Sequence, residues 1–332
     1  MIIGIDVGGT KALGLLVDPD DGQILARTRK SSRGSGDELL GRLTEVVTEL
    51  SEQSPTPVQG VGLGIAGLAA RSGVVRYSPN LPNLIEFPVG PLLAEAAGIQ
   101  VATINDATAG TWAEAKLGAG RGTDDFAYVA LGSGIGTGFV AGGHLLLGAN
   151  GFAGESGHMT VDASGPAHIT GEPGPWEYFA SGNGLGRLGR EAAAAGTFPA
   201  ASALVSDISE IRSEHVVAAL NQGDPTAEEI FDGFCREAAR GIANLILILD
   251  SSRVVLGGGL AEVGEPLRSR VDDWLQRLLL GSEHRPKVEV VLAKFGSESG
   301  ALGAALVAAD PHTIRSGGAT GRKPTHGTAR TG

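Results

Sequence analysis

The chain has 332 residues, of which 42% are hydrophobic and 19% charged, a balance that excludes a disordered polypeptide and leaves room for two domains of ordinary size. A net charge of −11 argues against a nucleic-acid partner, and 53 glycines without a three-residue period exclude a collagen-like assembly. Cys235, the single cysteine, cannot form an internal disulfide and reads as a packed thiol within a helical, apolar stretch.

In chain order, Ile2 to Asp6 reads as a buried strand, Ala12 to Val17 as a second, and the turn signal Asp18-Pro-Asp-Asp-Gly22 leads to a third, Gln23 to Thr28. Glu38 to Glu52 has helical spacing. Val61 to Ile65 and Val101 to Ile104 are short apolar runs typical of interior strands, and Ala107 to Leu117 reads as a helix. This alternation predicts an α/β fold with a mixed sheet. A second start follows, with strand Phe126 to Leu131, the glycine loop Gly132 to Gly138, and a strand resuming at Phe139 to Ala141. It repeats the opening plan of strand, glycine-rich turn and strand, which suggests duplication. Gly184 to Asp250 is mostly helical, with breaks at Pro199, Gly223 and Pro225. Arg253 to Leu256 and Val288 to Leu292 are the last strands, and Ser299 to Ala309 is the last helix. The residues after Asp310 carry Arg315, Arg322, Lys323 and Arg330 with no acid, and are expected to form a solvated, disordered tail. The densest apolar run, Leu245 to Leu249, is too short to span a membrane, and the N-terminus enters a strand without a basic leader, so a cytoplasmic protein with no membrane partner is expected.

Five motifs carry candidate chemistry. Gly4-Ile-Asp-Val-Gly-Gly-Thr-Lys11 places glycines at a hairpin turn, where backbone N–H groups can approach phosphate oxygens. There Asp6 can hold Mg²⁺, and Gly8, Gly9, Thr10 and Lys11 can meet phosphate, although Thr-Lys stands where a P-loop needs Lys-Thr. Gly132-Ser-Gly134 opens a second glycine loop, and two facing hairpins could clamp a triphosphate. Gly257-Gly-Gly259, just past a strand end, leaves room for adenine and ribose, or is simply a tight turn. Asn105-Asp106 begins a helix, where Asp106 is either a cap or a carboxylate that takes a proton from an attacking hydroxyl. Gly154-Glu-Ser-Gly-His158, followed by Glu177, could ligate a metal or grip a polyol.

Together these residues resemble the ROK family of sugar kinases and repressors, within the actin–hexokinase–Hsp70 superfamily. The phosphate hairpin Asp6 to Lys11, Gly64-Ile-Ala-Gly67, Asn80-Leu81, Asn105-Asp106 with Glu114 downstream, Leu131 to Gly138, Gly154-Glu-x-Gly-His158 with Glu177, Val254 to Gly259 and Gly303-Ala-Ala305 stand in family order over residues 1 to about 309. The resemblance implies a two-domain, actin-like (ribonuclease H-like) fold with a ligand cleft between the domains. The small domain would comprise 1–108 completed by helix 299–309, the large one 109–298, and the tail 310–332. It implies ATP and Mg²⁺ as cofactors, with Asp6 positioning the ion. It implies phosphorylation of a hexose at O6, glucose first, with Asp106 as base and Gly67, Asn80, Asn105, Glu155, His158 and Glu177 on the sugar. Nucleotide would meet Asp6, Gly8, Gly9, Thr10, Lys11, Gly132, Ser133, Gly134, Gly257, Gly258 and Gly259. A homodimer is the expected assembly.

Ala66 stands where the family has Pro, and Ser133 where it has Thr. The family's zinc loop is altered more deeply. Its three cysteines are replaced by His168, Thr170 and Pro175, so no structural zinc is expected, and Trp176 is expected to stiffen the loop by packing. A sugar-sensing repressor is disfavoured because no helix-turn-helix precedes the hairpin at Ile2, and an actin-like interaction protein would leave Gly154 to His158 unexplained. An N-acetylhexosamine, fructose or allose as acceptor, and polyphosphate as donor, remain open.

Overall fold

A computed structural model describes residues 1–167, 171, 173–310 and 312–315. The chain opens with the strands β1 (Ile2–Val7), β2 (Lys11–Val17) and β3 (Ile24–Ser31), helix α1 (Gly36–Glu52), β4 (Gly60–Ile65), α2 (Val89–Ala97), β5 (Val101–Asn105) and α3 (Asp106–Leu117). It continues through β6 (Phe126–Leu131), β7 (Ile135–Ala141), β8 (His144–Leu145) and the helices α4 (Trp176–Ala180), α5 (Gly182–Ala194), α6 (Pro199–Ser202), α7 (Ser213–Asn221) and α8 (Pro225–Leu249). It closes with β9 (Arg253–Gly257), α9 (Glu265–Leu278), β10 (Glu289–Leu292), α10 (Ser299–Ala309) and the turn α11 (His312–Arg315).

Two five-stranded sheets result, ordered β3-β2-β1-β4-β5 and β10-β9-β6-β7-β8. In the first, β1 pairs antiparallel with β2 and parallel with β4. In the second, β6 pairs antiparallel with β7 and parallel with β9. The two sheets therefore share one pairing plan, as the repeated strand–turn–strand pattern suggested. Each half puts its hairpin turn and the ends of its parallel strands at the same edge, where ligands bind in open α/β sheets.

Between the sheets lie α3 and α10. One core cluster contains Leu13 and Leu15 of β2, Ala109 and Trp112 of α3, Phe126 and Tyr128 of β6, and Ala301, Leu302 and Ala305 of α10. Two further cores back the sheets on their outer sides. The first holds Leu39, Leu43 and Val46 of α1 against Ile3 and Ile5, and the second holds Phe231, Phe234 and Cys235 of α8 against Val129 and Val254. Cys235 is buried, and desolvation pushes its thiol pKa up, which fits a packed and unreactive side chain. The expected boundary at residue 108 falls inside α3, which packs on both α10 and β7.

The middle layer is thin because its residues are small. A side chain on Gly4 would lie 1.9 Å from the Ala301 carbonyl oxygen, one on Gly62 1.8 Å from that of Ala304, and one on Gly303 1.7 Å from that of Ala109. Backbone therefore rests on backbone where β1, β4 and α3 meet α10.

Other boundaries differ from expectation for local reasons. α1 starts at Gly36, two residues before Glu38, because Ser35 caps it: Ser35 Oγ accepts from the Glu38 N–H at 3.2 Å, and Glu38 Oε2 accepts from the Ser35 N–H at 2.7 Å. β7 starts at Ile135 rather than Phe139, so the expected glycine loop shrinks to Gly132-Ser133-Gly134. Gly136 and Gly138 are strand residues whose bare faces admit α3, since side chains there would lie 2.7 Å from Ala107 Cβ and 2.0 Å from Thr111 Oγ1. α2 had no counterpart in the sequence reading. Of the expected disordered tail, residues 312–315 form a helical turn, and 316–332 lie outside the described residues. Among the described residues no helix is long and apolar enough to cross a membrane.

Gly303→Ala is expected to lower unfolding stability by ~1–3 kcal/mol, the usual cost of overpacking. Gly233→Ala, in α8 with open space around it, should instead raise stability by roughly 0.5–1 kcal/mol. Paired urea denaturation curves check both signs.

Candidate active site

The first hairpin is tied down at its base. The Gly8 N–H donates to the Lys11 carbonyl at 3.1 Å, the Ser32 hydroxyl donates to the Gly8 carbonyl at 2.6 Å, and the Ser32 N–H donates to the Thr10 carbonyl at 3.2 Å. Asp6 is the penultimate residue of β1, just before it. Its Oδ1 is buried with no hydrogen-bond partner. Burial, the nearby charge of Asp106 and the opposing charge of Lys11 together set its pKa at about 7. A side chain on Gly300 would lie 2.8 Å from the Asp6 carboxyl carbon, so α10 is bare where it faces this acid. An orphaned buried carboxylate oxygen beside a phosphate-type hairpin is a fitting partner for a divalent cation whose other ligands are phosphate oxygens and water.

Asn105 and Asp106 open α3 with divided tasks. Asn105 is the N-cap: its Oδ1 accepts from the Thr108 N–H at 3.0 Å, and its Nδ2 donates to the Gly67 carbonyl at 3.2 Å. The capping alternative for Asp106 therefore does not hold, because the residue before it has that duty. Asp106 uses Oδ1 to accept from the Ala107 N–H at 2.9 Å, and burial raises its pKa against that bond. Gly67, at φ +102°, carries the carbonyl that Asn105 holds. Asn80 abuts the first hairpin, its carbonyl oxygen 3.0 Å from where a side chain on Gly9 would begin.

The second half supplies the other acids. Glu155 and His158 bracket a short 3-10 turn, with His158 Nε2 3.9 Å from Glu155 Oε2. His158 Nδ1 is buried without a partner. Burial first, then the charges of Asp106 and Glu177, raise the Glu155 pKa from 4.5 to about 7. Glu177, in the first turn of α4, accepts from the Ile135 N–H at 2.8 Å through Oε2. A side chain on Gly134 would lie 2.2 Å from that oxygen, so the second hairpin and Glu177 form one unit. Four carboxylates from both halves are thus linked electrostatically, Asp6 to Asp106, Asp106 to Glu155 and Glu155 to Glu177.

Beside this cluster lies a cavity of about 770 Å³. Gly132, Ser133 and Gly259 line it, which brings two sequence-predicted motifs together. Gly257 and Gly258 shape the turn instead: a side chain on Gly257 would lie 2.3 Å from the Tyr128 hydroxyl, and Gly258 has φ +76°. The first hairpin is not part of this lining. Sequence reasoning missed the rest of the wall, including Asn183, Arg190, Arg212, Glu214 and Asn221. A usable signal did exist. Ser181-Gly-Asn-Gly184 caps α5, whose Gly182 N–H donates to the Gly132 carbonyl at 2.7 Å, so a helix N-terminus abuts the phosphate-type loop. Glu114 is entirely buried and accepts backbone N–H groups from Ala119, Lys294 and Phe295 at 2.7, 2.9 and 3.1 Å, which makes it a brace between α3 and the lead into α10.

The ROK family model matches residues 2–310. The chain belongs to the ROK family. It is 33% identical to a glucokinase of Thermotoga maritima over 92% of this chain and 96% of that one. It is 31% identical to an N-acetylmannosamine kinase of Shigella flexneri over 92% and 98%. Its fold matches a ROK glucokinase of Streptomyces griseus, solved with glucose and AMPPNP, at a TM-score of 0.85 and 32% identity over 93% and 99%. Two packed sheets with interleaved helices are thus the actin-like ATPase fold of this ROK protein.

Two of the three replaced zinc-loop positions, His168 and Thr170, lie outside the described residues. Trp176 is fully buried: its Nε1 donates to the Glu237 carbonyl at 3.0 Å, and its ring fills the space left by Gly241 of α8.

The acid cluster predicts a pH signature in the ligand-free protein. The unfolded chain releases the Glu155 proton near pH 4.5, while the folded protein holds it to about 7. The folded state therefore binds more protons in this window, and stability falls as pH rises through it. Glu155→Gln should make that fall shallower without abolishing it, since Asp6, also raised to about 7, contributes in the same direction, as read from urea midpoints between about pH 4.5 and 7.5.

Proposed function

We propose that this ROK-family sugar kinase transfers the γ-phosphoryl group of ATP to the 6-hydroxyl of glucose. The observation that carries the reading is Asp106, a desolvated carboxylate at a helix N-terminus that a neighbouring residue already caps, whose charge is felt by Asp6 of one half and Glu155 of the other. In this reading the glucose O6 attacks the γ-phosphorus, the bond to the β–γ bridging oxygen breaks, ADP leaves, and the hydroxyl proton passes to Asp106. Burial supports the role, because it raises the proton affinity of Asp106.

Glu155, His158 and Glu177 bind the remaining hydroxyls from one side, and Gly67, Asn80 and Asn105 from the other. The unspent His158 Nδ1 and the second N–H of the Asn105 amide support this assignment. Adenosine lies in the cavity that reaches Gly259, and the phosphates lie between Gly132-Ser133-Gly134 and the hairpin Gly8 to Lys11. Asp6 would hold Mg²⁺, which when bound offsets negative charge on the phosphates. A second reading, an N-acetylhexosamine as acceptor, is supported by the relative from Shigella flexneri.

A coupled ADP-release assay over a hexose panel, with the product position assigned by NMR, tests the acceptor. Glucose should give the highest kcat/KM with phosphate on O6, and a clear preference for an N-acetylated sugar would transfer the assignment to the second reading. Asp106→Asn should retain nucleotide affinity, measured by calorimetry with AMPPNP, and lose ~10²–10⁴-fold in kcat. Near-parent turnover would remove Asp106 from the chemistry.

A further inference from the structure

The two halves also meet on the sugar side, away from the apolar layer of α3 and α10. The loop after β4 and the loop after β8 touch through Arg71. Its backbone N–H donates to the Asn150 carbonyl at 3.4 Å, and its guanidinium Nη2 donates to the Gly148 carbonyl at 2.5 Å. Gly151, at φ +96°, lets the loops close up, since a side chain there would lie 3.0 Å from the Ala69 carbonyl oxygen and 3.4 Å from Arg71 Cγ. Arg71 Nε is buried with no partner while the Nη2 side of the guanidinium stays exposed, so the side chain is held at the contact by one edge without being fully satisfied.

The two junctions differ in kind. The α10 junction is apolar and backbone-close, and opening it would strip a core. The Arg71 junction rests on a few polar contacts, and a charged donor on a carbonyl is worth roughly 10- to 100-fold in an equilibrium. Such a contact can break and re-form while the core stays intact. Its position gives that freedom a consequence. Arg71 follows Gly67 in one loop, and Asn150 precedes Glu155 in the other, so each loop runs into one side of the proposed sugar site.

We propose that Arg71 is a positioning residue for the acceptor sugar. By tying residues 148–151 to residues 69–71 it sets the spacing between the Gly67–Asn105 side and the Glu155–His158 side. A sugar bridging both sides strengthens the clasp, and the clasp strengthens sugar binding by the same factor. The inference rests on the sugar site proposed above. The nucleotide cavity has no wall residue in either loop, so donor binding stands apart from it.

The test compares the full-length wild type with R71A and R71K. On the hexose that the wild type turns over best, R71A should raise the sugar KM about tenfold or more, leave the ATP KM within about twofold, and lower the thermal midpoint by no more than about a few degrees. R71K, which keeps one charged donor, should recover part of the loss. An unchanged sugar KM in R71A, or an equal rise in both KM values, overturns the proposal. Hydrogen exchange separates this outcome from a failure of the kinase reading, because it needs no turnover. R71A should accelerate amide exchange in residues 69–71 and 148–151 relative to the wild type, and unchanged exchange there also overturns the proposal.

Discussion

Backbone-to-backbone packing around α10 is the constraint on which the rest of the molecule depends. Gly4, Gly62 and Gly303 let β1, β4 and α3 reach α10 at distances that no side chain would permit. That closeness carries β1 far enough in for Asp6 to face the bare surface of Gly300. The same layer holds α3 so that Asp106, at its first turn, enters the field of Asp6. A thicker middle layer would separate these two carboxylates, which come from different elements of the first half. The candidate chemistry is therefore a product of small residues in a helix far along the sequence.

The gathering of acids has an energetic cost. Glu155 and Asp6 each have a pKa near neutrality because burial and neighbouring carboxylates disfavour their charged forms. A folded protein keeps such a cluster only where packing overdetermines it, and here two cores on the outer sides of the sheets supply the support. Ligands that bring cations or hydroxyl donors would relieve the cost on binding. Strained electrostatics of this kind concentrate at functional sites.

Much of the site was legible from residue types and order, because glycine turns and carboxylates at strand or helix ends carry local signatures. The fold brings Asp6 and Glu155 within the field of Asp106, sets Glu177 beside Glu155, and leaves His158 3.9 Å from Glu155. What the motifs did not carry is the division of labour among neighbours. The sequence assigned Asp106 to the proton and Asn105 to the sugar, and the fold adds that Asn105 caps the helix and grips Gly67 while Asp106 accepts from the Ala107 N–H. Gly136 and Gly138 looked like phosphate-loop glycines, yet they admit α3. Gly257 was singled out for adenosine, and the fold adds that it makes room for Tyr128. In each case a glycine or amide has more than one possible use, and only its three-dimensional neighbour selects among them.

The sequence by itself determined the α/β class and the duplicated strand–turn–strand plan, and it singled out the carboxylates Asp6, Asp106, Glu155 and Glu177 that the fold links electrostatically. Those features depend on periodicity and on residues adjacent in the chain, so a linear reading reaches them. Tertiary structure decided what depends on distant segments meeting. It brought α5 to the glycine loop of β6 and β7, and set Glu177 against the backbone of Ile135. It buried Trp176 in the notch of Gly241, and joined Arg71 to a loop from the other half. Hydrogen bonds and close contacts between remote residues leave no period in a single sequence, which is why their partners appear only once the chain is folded.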